Sequence, residues 1–198
     1  MAYGAEGSSN CTPWDYEGEI CMVDECCWYT SWAYEFGLTP VYIMEKPYTF
    51  ITSMFLHMGF QHFIWNMFAL LIAGAYLERL IKAKYVIAAY FIGGFGANAG
   101  YVITAPLLGW TGYSTVGASG AICVLCGLLI IIEPTAKSFY EFFTKAWVVI
   151  FIMLFTAGGV GLAVGSCTGA ADNVHVMGII IGAAFGYFLK RKHGHWIG

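Results

Sequence analysis

Charge is what this chain has least of. Only 11% of its 198 residues are Asp, Glu, Lys or Arg, against roughly 25% in soluble domains, while 59% are hydrophobic. So few ionised groups cannot cover a water-facing globular surface. That excludes an ordinary soluble domain and makes lipid the solvent for most of the sequence. The charges are also unevenly spread, with none in residues 47–77, 85–132, 146–171 or 173–189. A spanning helix needs about 20 mainly apolar residues. The first, third and fourth stretches therefore hold one helix each, and the second holds two, turning near Pro106, Gly109 and Gly112. The expectation is an all-α polytopic membrane protein with five transmembrane helices, at about 50–77, 85–105, 116–132, 146–164 and 173–189.

Residues 1–46 lack the continuous apolar core of a secretory signal. Lys46 apart, they also lack Lys and Arg, and they hold eight of the twelve acidic residues. The other eight of the nine cations fall on alternate connections: Arg79, Lys82 and Lys84; Lys137 and Lys145; Lys190, Arg191 and Lys192. Positively charged loops stay cytoplasmic, which places the N-terminus outside and the C-terminus inside, with the plasma membrane as the expected location. The chain thus divides into an acidic, cysteine- and aromatic-rich outer segment (1–46), a transmembrane core (47–189) and a basic cytoplasmic tail (190–198). A net charge of −3 excludes nucleic acid as a partner. No repeat or low-complexity tract occurs.

Four cysteines in the outer segment, Cys11, Cys21, Cys26 and Cys27, suit disulfides in an oxidising compartment, with three possible pairings. Zinc is the weaker reading, because adjacent Cys26 and Cys27 lack the usual ligand spacing. Cys123 and Cys126 lie inside a predicted helix and read as small packing residues. Trp14, Trp28, Trp32, Tyr29, Tyr34 and Tyr42 suit a segment lying against lipid headgroups.

Polar side chains at membrane depth cost a few kcal/mol, so each needs either a function or a packing partner. The first predicted helix carries His57, Gln61, His62 and Asn66. His62 and Asn66 are four apart and share a face, whereas His57 is about 140° away around an ideal helix and serves another contact. The bland alternative is that these side chains bond neighbouring helices, at about 1 kcal/mol each. The third helix starts with Gly117-Ala-Ser119-Gly120, and the fifth with Asp172-Asn-Val-His175. Glycines beside a serine leave its hydroxyl uncovered and let backbone N–H groups face a developing oxyanion. Gly178, Gly182 and Gly186 follow His175 at period four, and Ser119, Cys123 and Gly127 form a matching stripe. Where such stripes meet, backbones approach closely, and Ser119 and His175 come within hydrogen-bond reach as nucleophile and base. Packing without chemistry explains the glycines equally well if His175 is set aside. Asp172 is expected to be the N-cap of the fifth helix, with Asn173 sharing the duty, in preference to a third member of a triad. No metal or cofactor is implied.

Together, His-x4-His-x3-Asn on the first helix, Gly-x-Ser-Gly on the third and His-x2-Gly-x3-Gly on the fifth resemble the rhomboid intramembrane serine proteases. The resemblance runs from about Pro47 to Leu189 and adds Thr52 and Glu78 at matching positions. It implies a rhomboid-like helical bundle that cleaves transmembrane segments of other membrane proteins. In it Ser119 is the nucleophile and His175 the base of a dyad without an acid. His62 and Asn66, with the N–H of Ser119, stabilise the oxyanion, and His57 is a structural histidine of the loop before the helix interior. Two departures stand out. Residues 1–46 contain no candidate for the family's first helix, so the chain is expected to be either a truncated or processed form or a five-helix variant in which the cysteine-rich segment replaces that helix. A Trp-Arg pair common before the His helix is here Tyr48-Thr49. Two alternatives are carried: a noncatalytic relative that binds transmembrane helices, and a proton or metal transporter using His57, His62 and His175. The transporter is disfavoured because no acidic ligand lies within the spans.

Overall fold

The structure, a computed structural model, describes residues 19–21, 28–133 and 168–193. The helix expected at 146–164, the Lys137 and Lys145 loop and Cys11, Cys26 and Cys27 lie outside the described residues, as does the side chain of Cys21. An antiparallel hairpin opens the described part, β1 (Glu19–Cys21) pairing with β2 (Trp28–Thr30) so that Cys21 faces Trp28. It leads into α1 (Ser31–Phe36), a 3-10 turn at Pro40–Tyr42, α2 (Thr49–Thr52) and a second 3-10 turn at Ser53–Phe55.

The long elements follow. They are α3 (Phe60–Leu80), α4 (Ala83–Ala88), a π-helical turn at Ala89–Gly93, α5 (Gly94–Leu108), α6 (Ser119–Ile132) and α7 (Thr168–His193). α4, the π turn and α5 run as one rod. Among the described residues, three helices are long and apolar enough to cross a membrane: Phe60–Leu80, Ala83–Leu108 and Asp172–Lys192. The protein is therefore a multi-pass helical bundle, with the small hairpin as an addition to the all-α expectation.

The first helix begins at Phe60, ten residues later than expected. Residues 49–55 are helical but do not run into it, because the chain is extended between them. Thr49 Oγ1 donates to Lys46 O at 2.6 Å and Thr52 Oγ1 to Phe36 O at 2.7 Å. Leu56 is then extended, at φ −90° and ψ 150°. The second rod ends where the turn residues put it. Gly109 takes the left-handed conformation (φ 74°, ψ 19°) that glycine adopts without steric cost.

α6 is the centre of the bundle, with twelve of its fourteen residues buried. A face of α7 lies directly on it. A Cβ on Gly182 would strike the carbonyl oxygen of Val124, and one on Gly127 that of Ile179. A Cβ on Gly178 would lie 2.5 Å from Gly120 O. The glycine ladder therefore meets Gly120, Cys123, Val124, Leu128 and Ile131, while Gly127 lies against Ile179 and Ala183, so the contact is wider than the expected Ser119, Cys123, Gly127 stripe. Cys123 and Cys126 are buried free thiols, used for packing. At the far end Lys190 Nζ donates to Ile131 O at 3.3 Å, satisfying a carbonyl in the last turn of α6. Lys190, Arg191 and Lys192 thus lie in the last turn of a helix, which runs to His193.

Candidate functional site

Two buried residues meet where α6 and α7 cross. Ser119 Oγ lies 2.7 Å from His175 Nε2, with the two residues 5% and 4% exposed. Fifty-six positions separate them in the chain, and the glycine contact between the helices brings them together.

Asp172 is not the N-cap. α7 starts at Thr168, so Asp172 lies inside the helix one turn before His175, its Oδ1 3.9 Å from His175 Nδ1. That is beyond hydrogen-bond length. Asn173 does no capping either; its Oδ1 accepts from Thr104 Oγ1 at 3.0 Å, tying α5 to α7.

The strand of chain before Ser119 is held from both sides. Gly117 N–H donates to Ser53 O at 2.8 Å, and Ala118 N–H to His57 Nε2 at 3.5 Å. His57 therefore sits outside α3, in the loop before it, stacked edge-on to His62 and Phe63 at 5.2 and 5.3 Å. Burial lowers its pKa and favours the neutral ring that an acceptor Nε2 requires. Gly117 has φ 133°, a conformation side chains rarely adopt. A Cβ there would stand 3.1 Å from His62 Nε2 and 3.3 Å from Ser119 Oγ. The imidazole of His62 and the hydroxyl of Ser119 thus face the same small space.

His62 Nδ1 accepts from Met58 N–H at 3.3 Å, which fixes the ring. Asn66, fully buried on the same face, turns its amide back so that Nδ2 donates to His62 O at 2.8 Å; its Oδ1 has no partner. Ser119 is the first residue of α6, so its N–H is among those a helix start leaves without an intrahelical acceptor. Beside the pair lies a cavity of about 20 Å³, room for one water, lined by Ser53, Asn98, Thr115, Gly117, Ser119 and His175 among others.

Sequence reasoning passed over Ser53, Asn98 and Tyr101. Asn98 carried a usable signal, since it is an amide inside the uncharged stretch 85–132, the argument applied to Asn66. Tyr101 Oη donates toward Trp110 O (3.0 Å) and Tyr113 O (2.8 Å), anchoring the loop that leads to Ser119. That loop also pairs with the N-terminal segment. Leu38 N donates to Thr115 O at 3.0 Å, and Thr115 N returns a bond to Leu38 O at 2.9 Å. Nearby, the Lys46 and Tyr48 side chains bond Glu35 at 2.6 and 2.7 Å and hold its carboxyl below the usual range. Among the described residues no cluster of His, Cys, Asp or Glu could hold a metal ion.

Residues 44–192 match the family model described as Rhomboid domain. The chain is 30% identical over 148 residues to RHOMBOID-like protein 6, mitochondrial, of Arabidopsis thaliana, covering 75% of this chain and 45% of that protein. It is 30% identical over 157 residues to RHOMBOID-like protein 4 of the same plant, covering 77% and 37%. A Bacillus subtilis (strain 168) protein, YdcA, whose name includes the words rhomboid protease, is 37% identical over 81 residues, covering 40% and 38%. The chain therefore spans less than half the length of these relatives. No solved structure matches it. On the match across three-quarters of its length, the chain belongs to the rhomboid family.

Proposed function

We propose that this protein is an intramembrane serine endopeptidase that cleaves transmembrane segments of other membrane proteins, with Ser119 as nucleophile and His175 as general base. The observation that carries this reading is the 2.7 Å contact between Ser119 Oγ and His175 Nε2 in a buried setting. A serine hydroxyl is a weak nucleophile unless an adjacent base takes its proton. As Oγ bonds to the substrate carbonyl carbon, the proton passes to Nε2. When the carbon–nitrogen bond breaks, the same proton goes to the departing amine. Water then hydrolyses the acyl-serine by the reverse use of the base. The tautomer suited to this carries its other proton on Nδ1, the side facing Asp172 at 3.9 Å.

Negative charge on the carbonyl oxygen would be met by His62, by the N–H of Ser119 and by Asn66. Asn66 spends one amide hydrogen on the His62 carbonyl and retains the other on Nδ2. Removing one such donor typically costs a factor of about 10² to 10³.

Helix length supports a site within the membrane. α6 has fourteen residues, about 21 Å at 1.5 Å per residue, against a hydrocarbon core of about 30 Å. An upright α6 with its C-terminal turn at the core boundary beside Lys190 would leave Ser119 about 9 Å below the opposite face. The charge asymmetry makes that face the outer one, with the N-terminus outside and the C-terminus cytoplasmic.

A fluorophosphonate probe tests the proposal. It should label wild-type protein and not Ser119→Ala, and His175→Ala should neither be labelled nor cleave a transmembrane substrate while remaining a folded bundle. A folded wild-type protein that takes no label and cuts nothing would instead be a noncatalytic helix-binding relative.

A further inference from the structure

The two N–H groups just before Ser119 are committed, Gly117 N–H to the Ser53 carbonyl and Ala118 N–H to His57 Nε2, and a side chain on another helix braces the turn that supplies the first of these acceptors. Asn98, on α5, is 6% exposed and spends its Nδ2 on two acceptors, Phe50 O at 2.8 Å and Ser53 Oγ at 3.1 Å. These close the short turn from α2 into the 3-10 segment, and the carbonyl of the same Ser53 receives Gly117 N–H at 2.8 Å. Ser53 is itself 2% exposed. The connected path therefore runs from the Asn98 carboxamide through Ser53 to Gly117, two residues before Ser119. Asn98, Ser53, Gly117, Ser119 and His175 line one cavity.

A path built this way has a defined effect. With Gly117 N–H committed to Ser53 and Ala118 N–H to His57, the N–H of Ser119 is the first of the loop left to face the reacting carbonyl. Gly117 is held at φ 133°, which keeps the space beside His62 Nε2 and Ser119 Oγ open. Release of the Ser53 turn would let Gly117 relax toward ordinary backbone and rotate the peptide that carries the Ser119 N–H.

We propose that Asn98 is a positioning residue for the oxyanion-binding loop, acting on Ser119 through the Ser53 carbonyl and Gly117. This rests on the protease reading above. It assigns Asn98 an effect on the chemical step and none on substrate capture, since donors aimed at the oxyanion act only as charge develops. Asn98→Asp keeps the size of the side chain and removes both N–H donors.

The test uses the full chain in lipid vesicles with a transmembrane substrate. Asn98→Asp and Asn98→Ala should lower kcat on the order of tenfold, below the loss on deleting an oxyanion donor outright, with KM within about twofold of wild type. Two further readouts separate positioning from general loss of structure. In a double-mutant cycle with His62→Ala, the Asn98→Ala effect should shrink, because both act on one charge; effects that add would overturn the proposal. Ser53→Ala, which removes Oγ and keeps the carbonyl, should give a smaller loss of kcat than either Asn98 variant and remain folded. Full kcat in folded Asn98→Asp beside a Ser119-dependent wild type would overturn the positioning role alone. Absence of Ser119-dependent cleavage in wild type would overturn both readings.

Discussion

Gly117 shows how much of the site rests on a missing side chain. Its φ of 133° is disfavoured for any residue with a Cβ, and that atom would intrude beside both His62 Nε2 and Ser119 Oγ. Gly117→Ala should therefore cut substrate cleavage by about 10²-fold or more while costing only about 1–3 kcal/mol in stability. Cleavage and thermal unfolding measured on the same preparation check this, and full activity would show that the space is not where the substrate carbonyl binds. At this scale the sequence was informative wherever polarity sits in an uncharged stretch. Ser119, His175, His62 and Asn66 all stood out in that way. The partners of those side chains did not stand out. That Asn66 turns its amide to a carbonyl of its own helix, and that Asp172 sits a full turn inside α7, depend on rotamers and helix ends that local pattern does not set.

Between elements, the decisive contact is backbone on backbone. Gly182 lies against the Val124 carbonyl, with no room for a Cβ, whereas Gly74 on α3 has nothing within 4 Å of the same position. Gly182→Leu should destabilise the bundle by about 3 kcal/mol, the upper end for overpacking, and abolish cleavage by parting Ser119 from His175. Gly74→Leu should stay within about 1 kcal/mol of wild type and keep full activity. Unfolding in detergent with a parallel cleavage assay compares the two. If Gly182→Leu proves fully active, the α6–α7 contact does not hold the pair together. The period-four glycines revealed that two helices must touch. They left the width of the strip open, because Val124 and Leu128 contribute main-chain atoms there that no small-residue pattern reports.

Across the whole molecule, the basic residues among those described, other than Lys46, gather at one end, Arg79 in the last turn of α3, Lys82 and Lys84 just after it and Lys190 to Lys192 on α7, while Ser119 and His175 lie toward the other. An epitope placed after Gly198 should bind antibody only in permeabilised cells, and one placed ahead of Glu19 should bind in intact cells. The reverse pattern would invert the proposed orientation and put the site near the cytoplasm. The N-terminal segment has a structural part in this arrangement. Leu38 pairs with Thr115, and Thr52 Oγ1 bonds Phe36 O, so residues 31–55 brace the loop that feeds α6.

The sequence by itself determined that the chain is a membrane bundle, roughly where its described helices run and which side chains are candidates for chemistry. Those properties follow from transfer free energies and helical periodicity, which act residue by residue. Only the tertiary structure decided that Ser119 is the first residue of its helix, that His57 braces Ala118 and that Asn98 reaches Ser53 across 45 positions. Each of those is a hydrogen bond or a helix end set by a neighbour distant in the chain. In an uncharged stretch, polarity marks a residue as costly to bury; only the packed neighbour shows which group satisfies it.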